Sequence, residues 1–228
     1  MEISPSETRR AREIRVALTS LWPRAEPLLR YGDCFELLVA VVLSAQTTDD
    51  QVNRVTPELF RRWPDPGQLA GANPAELEEC IHSLGFYRTK ARHLVGLSRM
   101  LVERFGGRVP ATLEDLLELP GVGRKTANLV ASACFGRPGI IADTHFLRVC
   151  HRLGLTENRD PSAAERRIEA LIEPEYRTAF SHAVNRHGKY VCRARRPDCP
   201  GCAVRELCPS ADSVGSGTKL VLPEIRGR

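Results

Sequence analysis

Apolar residues along this chain recur at intervals of three and four, the spacing of one helix face, and no useful stretch alternates with period two. The punctuation agrees. "SETRRAREIRVALTSLW" reads as a helix capped by Ser6 and stopped before Pro23. "DCFELLVAVVLSAQ" follows, capped by Asp33 and apolar on nearly every side, the pattern of a central buried helix. "NPAELEECIHSLG" has Asn73 as cap, Pro74 at the first helical position, Glu76 closing a capping box and Gly85 past its end. "YRTKARHLVGLSRMLVERFGG" is a long amphipathic helix that ends at Gly106 and Gly107. "TLEDLLEL" starts at Thr112 with Asp115 in the capping-box position. "GRVPAT" and "GIIAD" read as connections, so the expectation is an all-α protein of about ten helices.

Composition narrows the class. The chain has 228 residues, 42% hydrophobic and 27% charged, which suits one large or two small globular domains. A net charge of +5 permits a polyanionic partner without demanding one. The opening "MEISPSETRRAREIRVAL" does not read as a secretory leader, and the longest apolar run, residues 37–43, is too short for a bilayer. A cytoplasmic protein without a membrane partner is expected. Eight cysteines in that setting argue against a disulfide framework.

Chemistry concentrates in three places. "LPGVGRKTAN", residues 119–128, joins two helices by a short turn. Gly121 and Gly123 can take positive φ and, with Val122 between them, leave backbone N–H groups uncovered at a helix start. Such a turn suits a DNA phosphate, held regardless of sequence, although a plain helix hairpin has the same pattern. It is not a Walker loop, because the Gly-Lys-Ser/Thr spacing is missing. Lys125 lies in the first turn of the second helix, where cations are disfavoured. The helix start and Arg124 should both favour the neutral amine, which is a nucleophile as an ammonium is not. The alternative is a lysine that contacts phosphate or water.

In "GIIADTHFLRV", Asp143 precedes another helix beside Ile140, Ile141 and Ala142. A helix cap explains such an aspartate. A carboxylate there could also steady an oxocarbenium-like centre at a sugar C1′.

Cys192, Cys199, Cys202 and Cys208 follow the spacing C-x6-C-x2-C-x5-C within 17 residues, which points to a metal site. Zinc and an iron–sulfur cluster both fit tetrahedral thiolates. Arg193, Arg195 and Arg196 stand inside that run, with Lys189 before it and Arg205 in its last loop, as cations that a tied-down loop would show to phosphates. Cys34, Cys80, Cys134 and Cys150 stand singly in helices and read as small core residues. The histidines show no ligand spacing. A short echo between "GFYRTKARHL" and "GVGRKTANLV" reads as chance similarity of two glycine turns that feed helices.

"LPGVGRKTAN", then "ADTH", then the four-cysteine spacing, together with "LSAQTTD" and "HGKYVC", resemble endonuclease III, the helix-hairpin-helix DNA glycosylases that carry a 4Fe–4S cluster. The resemblance spans about residues 21–209. It implies two helical domains with a DNA-binding cleft between them: a six-helix barrel with the hairpin at 27–137, and a cluster domain from 1–26 and 138–228 whose tail, 210–228, matches nothing in particular. It implies Lys125 as nucleophile, Asp143 as supporting carboxylate, and Cys192, Cys199, Cys202 and Cys208 as cluster ligands. Gln46 and Phe86 fall at positions inserted into the DNA stack, with Gly121, Val122, Gly123, Arg193 and Arg195 as further DNA contacts.

The implied activity is bifunctional. A monomer working on the cytoplasmic nucleoid removes oxidised pyrimidines from double-stranded DNA and then cleaves the strand at the abasic site by β-elimination. Two rivals stay in view. A monofunctional adenine mismatch glycosylase would lack the hairpin lysine and carry a glutamate on the helix that here reads "LLVAVVLSAQ". A non-catalytic DNA-binding protein would hold a structural zinc.

Overall fold

In a computed structural model, residues 3–23 and 27–211 are described. They form eleven α-helices and two short 3-10 turns, and no strand occurs among them. None of these helices is long and apolar enough to cross a membrane. The expected tail lies, from residue 212 onward, outside the described residues.

The backbone divides into two compact units, Pro27–Arg137 and the pairing of Met1–Glu26 with Pro138–Arg228. The first holds α2 (Cys34–Leu43), α3 (Asp49–Arg62), α4 (Pro66–Ala70), α5 (Pro74–Cys80), α6 (Tyr87–Phe105), α7 (Leu113–Glu118) and α8 (Arg124–Phe135). Asp33 caps α2 by accepting from the Glu36 N–H at 2.8 Å. Phe35 and residues 37–43 of α2 are all buried, which fits a helix with no polar face. α6 ends at Gly106, where φ is +60°.

Two boundaries differ from the sequence expectation. Asn73 caps α5 through the Ala75 N–H at 2.9 Å rather than through a box with Glu76, and α5 stops at Cys80, five residues before Gly85. Its last carbonyls turn into tight bends there, with Leu84 N–H bonded to Ile81 at 2.9 Å. Cys34 and Cys134 are also not separate core thiols. The start of α2 and the end of α8 pack together, their Cα atoms 5.7 Å apart, and the two cysteines form a disulfide. Cys150 is buried as expected, and Cys80 is half-buried.

The second unit holds α1 (Pro5–Leu21), α9 (Thr144–Arg152), α10 (Pro161–Leu171) and α11 (Arg177–Tyr190). Its N-cap is Ser4, not Ser6. Pro5 fits the first helical position, and Ser4 and Glu7 form the reciprocal capping box. Ile14, Leu18, Phe146, Val149, Phe180 and Val184 make its core. Phe146 meets Phe180 edge to face at 6.1 Å. α9 and α11 approach so closely that a Cβ at Gly188 would lie 2.9 Å from that of His145.

Candidate DNA-repair site

The hairpin between α7 and α8 is shaped by what its glycines leave out. The Val122 N–H closes a turn onto the Leu119 carbonyl at 3.1 Å. Gly121 has φ +80°, and a Cβ there would stand 2.7 Å from His93 Nδ1. Gly123 differs from the expectation. Its φ is −96°, so it serves as the extended N-cap of α8 and offers no side-chain cap to the N–H groups of the first turn. Gly96, one turn after His93 on α6, meets Pro120, where a Cβ would lie 3.3 Å from the ring. The hairpin thus rests on α6 at His93 and Gly96. Sequence reading gave neither a role, since a histidine that packs against a glycine leaves no motif. Val122 is the buried anchor of the turn, and Lys125 is exposed on the first turn of α8.

Gln46 and Phe86 lie in the same unit, and both are exposed. They are the only non-glycine residues with positive φ among those described, at 53° and 58°. Strain of that kind persists only where the surroundings enforce it, and it clusters at functional positions.

In the other unit Asp143 does cap α9, with Oδ1 accepting from the Phe146 N–H at 2.7 Å. Its other oxygen accepts from Asn185 Nδ2 on α11, and His145 Nδ1 is 3.9 Å away. The carboxylate side chain is only 13% exposed, at the end of a buried segment, residues 140–142. Capping therefore uses one oxygen, and Asn185 fixes the second. Burial holds nearby His182 down at about 4, with Arg186 pushing the same way and Asp143 opposing.

Cys192, Cys199, Cys202 and Cys208 line one pocket, with Val149, Leu153, Val191 and Val204 in its wall. No group of three or more ligand-type side chains closes on a single ion among the described residues. Burial pushes the Cys202 thiol up to about 11, and the other three sulfurs act in the same sense, as expected of a set that needs a cationic group between them.

Two arginines of α9 fasten the loop. Arg152 donates to the Arg193 and Ala194 carbonyls at 2.8 and 2.9 Å and lies 3.4 Å from Cys192 Sγ. Arg148 donates to the Cys192 and Gly188 carbonyls at 3.1 and 2.7 Å. Their i, i+4 spacing on one helix was the available signal. Arg193, Arg195 and Arg196 are exposed on the loop.

Comparison with known proteins adds a second line of support. Residues 39–174 match the family described as HhH-GPD superfamily base excision DNA repair protein. That span includes the hairpin, Asp143, Gln46 and Phe86, and stops short of the four cysteines from Cys192 to Cys208. An endonuclease III of Synechocystis sp. is 48% identical over 210 residues, 91% of this chain and 95% of that one. An endonuclease III of Bacillus subtilis is 42% identical over 189 residues, 82% and 86% of the two chains. A trapped endonuclease III–DNA covalent intermediate, an estranged-adenine complex, superposes with a TM-score of 0.87 at 38% identity, over 93% of this chain and 99% of that one.

Proposed function

We propose, because the chain belongs to the endonuclease III family within the HhH-GPD superfamily, that it is a bifunctional DNA glycosylase and abasic-site lyase acting on oxidised pyrimidines. The observation that carries this reading is the lysine-bearing glycine hairpin, with Lys125 exposed one residue into α8 on a turn whose shape depends on Gly121.

The chemistry follows from these residues. Damage lowers the cost of flipping a base out of the stack. Gln46 and Phe86 enter the gap that it leaves. The Lys125 amine attacks C1′ and forms a C–N bond as the glycosidic bond breaks, and the base leaves with the bonding pair and a proton. Asp143 steadies the positive charge that develops at C1′. Opening of the C1′–O4′ bond then gives a protonated Schiff base. Loss of a C2′ proton expels the 3′ phosphate, and water releases the sugar and restores the amine.

Cys192, Cys199, Cys202 and Cys208 would hold a 4Fe–4S cluster, which would fix the loop that presents Arg193 and Arg195 to phosphates. The partner is damaged double-stranded DNA, bound by a monomer in the cytoplasm at the nucleoid.

Borohydride trapping tests the reading. The parent protein should form a covalent adduct with duplexes that contain an oxidised pyrimidine or an abasic site. Lys125→Ala should form none, and Asp143→Asn should slow base release by about a hundredfold or more, the scale of one lost charge-stabilising group. An adenine mismatch glycosylase would release adenine without an adduct. A colourless protein holding one zinc, with no adduct, would support the non-catalytic rival. Full trapping by Lys125→Ala would sink the proposal.

A further inference from the structure

Lys90 lies in the first turn of α6 and is only 4% exposed. Burial alone pushes its amine down, and no carboxylate acts on it. Its Nζ donates to Thr47 Oγ1 at 2.6 Å, across 43 residues of sequence. Burying a cation on a single hydroxyl costs free energy that an apolar side chain of similar length would avoid. That expense calls for an account of what the contact accomplishes.

The contact links the two segments that carry the strained positions. The Lys90 N–H bonds to the Phe86 carbonyl at 3.0 Å, so the backbone of Phe86 is fixed to the start of α6. Thr47 Oγ1, which accepts from Lys90, itself donates to the Ala45 carbonyl at 3.4 Å, bracketing Gln46. An unbroken chain of hydrogen bonds thus runs from Phe86 through Lys90 and Thr47 to Ala45. Phe86 stands at one end and Gln46 between the two residues at the other, the two non-glycine residues with positive φ among those described. Each such backbone costs about 1 kcal/mol or more, and it relaxes unless its surroundings hold it.

We propose that Lys90 is a positioning residue that holds Gln46 and Phe86 as a single preset wedge for entry into the DNA stack. This rests on the reading of the protein as a base-flipping enzyme. It assigns Lys90 no contact with the reacting sugar. Its part is to lower the ordering cost of insertion, which arises only in duplex DNA, where a flipped base leaves a gap between stacked neighbours.

The test compares the full-length parent protein with Lys90→Met, Thr47→Val and the double variant. Methionine keeps the stem length and removes the donor. Valine keeps the threonine shape and removes the acceptor from a loop position, a second way to break the contact should Lys90→Met prove unstable. Single-turnover cleavage is measured at an abasic site in a duplex and in the same strand alone. Binding is followed with 2-aminopurine beside the site, whose fluorescence rises as stacking is lost.

Either single change should lower the ratio of duplex to single-strand cleavage about tenfold, the scale of one charge-assisted hydrogen bond. Both should blunt the fluorescence rise, and the double variant should be no worse than either one. A ratio and a fluorescence response that stay at the parent values would overturn the proposal, as would losses that multiply in the double variant. The fluorescence reads insertion without chemistry. A parent that forms no borohydride adduct but loses its signal on Lys90→Met would therefore sink the role of Lys125 and leave that of Lys90 standing.

Discussion

The hairpin before α8 and the cysteine loop after α11 are both irregular segments that the proposed function needs, and they are held by opposite means. The hairpin is positioned by missing atoms. Gly121 lets the turn close on His93, and Gly96 admits Pro120, so backbone and ring settle directly onto α6. The cysteine loop is positioned by added atoms: the guanidinium groups of Arg148 and Arg152 reach across from α9 to its carbonyls. Close packing tolerates almost no change in volume, whereas a set of hydrogen bonds loosens one bond at a time. The hairpin should therefore fail abruptly on a single added methyl group, and the loop should fail by degrees.

The sharpest way to break that contrast is Gly121→Ala. The new Cβ would meet His93 at 2.7–2.9 Å while the backbone stays at φ +80°. Strain and overlap together should cost about 2–4 kcal/mol of stability and take duplex binding with it. Adding His93→Ala should recover the part due to overlap and leave the part due to φ, as read from urea midpoints of the single and double variants. A Gly121→Ala protein with the parent midpoint would mean that the hairpin does not lean on α6.

Acid probes the other unit. His182 is held at about 4 against an ordinary 6.5 because burial disfavours its charged form. The unfolded chain then binds a proton that the folded chain refuses, so stability is complete above about pH 6.5 and falls as the pH drops toward 4. By pH 5 the loss from this residue should be about 2 kcal/mol. His182→Asn should remove about half of that slope, because burial holds His187 at about 4 as well and its share stays. A variant that keeps the parent's slope between pH 6.5 and 5 would show that His182 is not its source.

Much of this was legible in advance, for identifiable reasons. Helix caps write themselves locally, and Asp33, Thr112 and Asp143 each bond an N–H three residues on. The hairpin and the cysteine spacing are local as well. What escaped was long-range. The Cys34–Cys134 disulfide joins residues 100 apart. Asn185, His93 and the Lys90–Thr47 contact act across elements whose adjacency no spacing encodes. Ser6 lost to Ser4 because Pro5 is better inside the first turn than before it. Gly123 lost the positive φ expected of it because the helix start needs an extended cap there.

The smallest effect expected is also the most specific to the cysteine loop. Arg152→Met keeps the aliphatic stem against the cavity wall and removes the donors to the Arg193 and Ala194 carbonyls. Arg148 remains on Cys192, so the loop keeps one of its two anchors. Exposed carbonyls regain water, which limits the loss to about 1–2 kcal/mol. That energy should appear as local opening rather than global unfolding, because the core around Phe146 and Phe180 is untouched. Two measurements separate these outcomes. A thiol reagent should reach Cys192 several-fold faster in the metal-free variant, since an Arg152 guanidinium N–H lies 3.4 Å from its sulfur, while Cys208, whose thiol donates at 3.3 Å to the backbone carbonyl that methionine keeps, should react as in the parent. The urea midpoint should barely move. Equal reagent rates with a lowered midpoint would place Arg152 in the general fabric of the unit, and the contrast between a packed hairpin and a tethered loop would lose its second half.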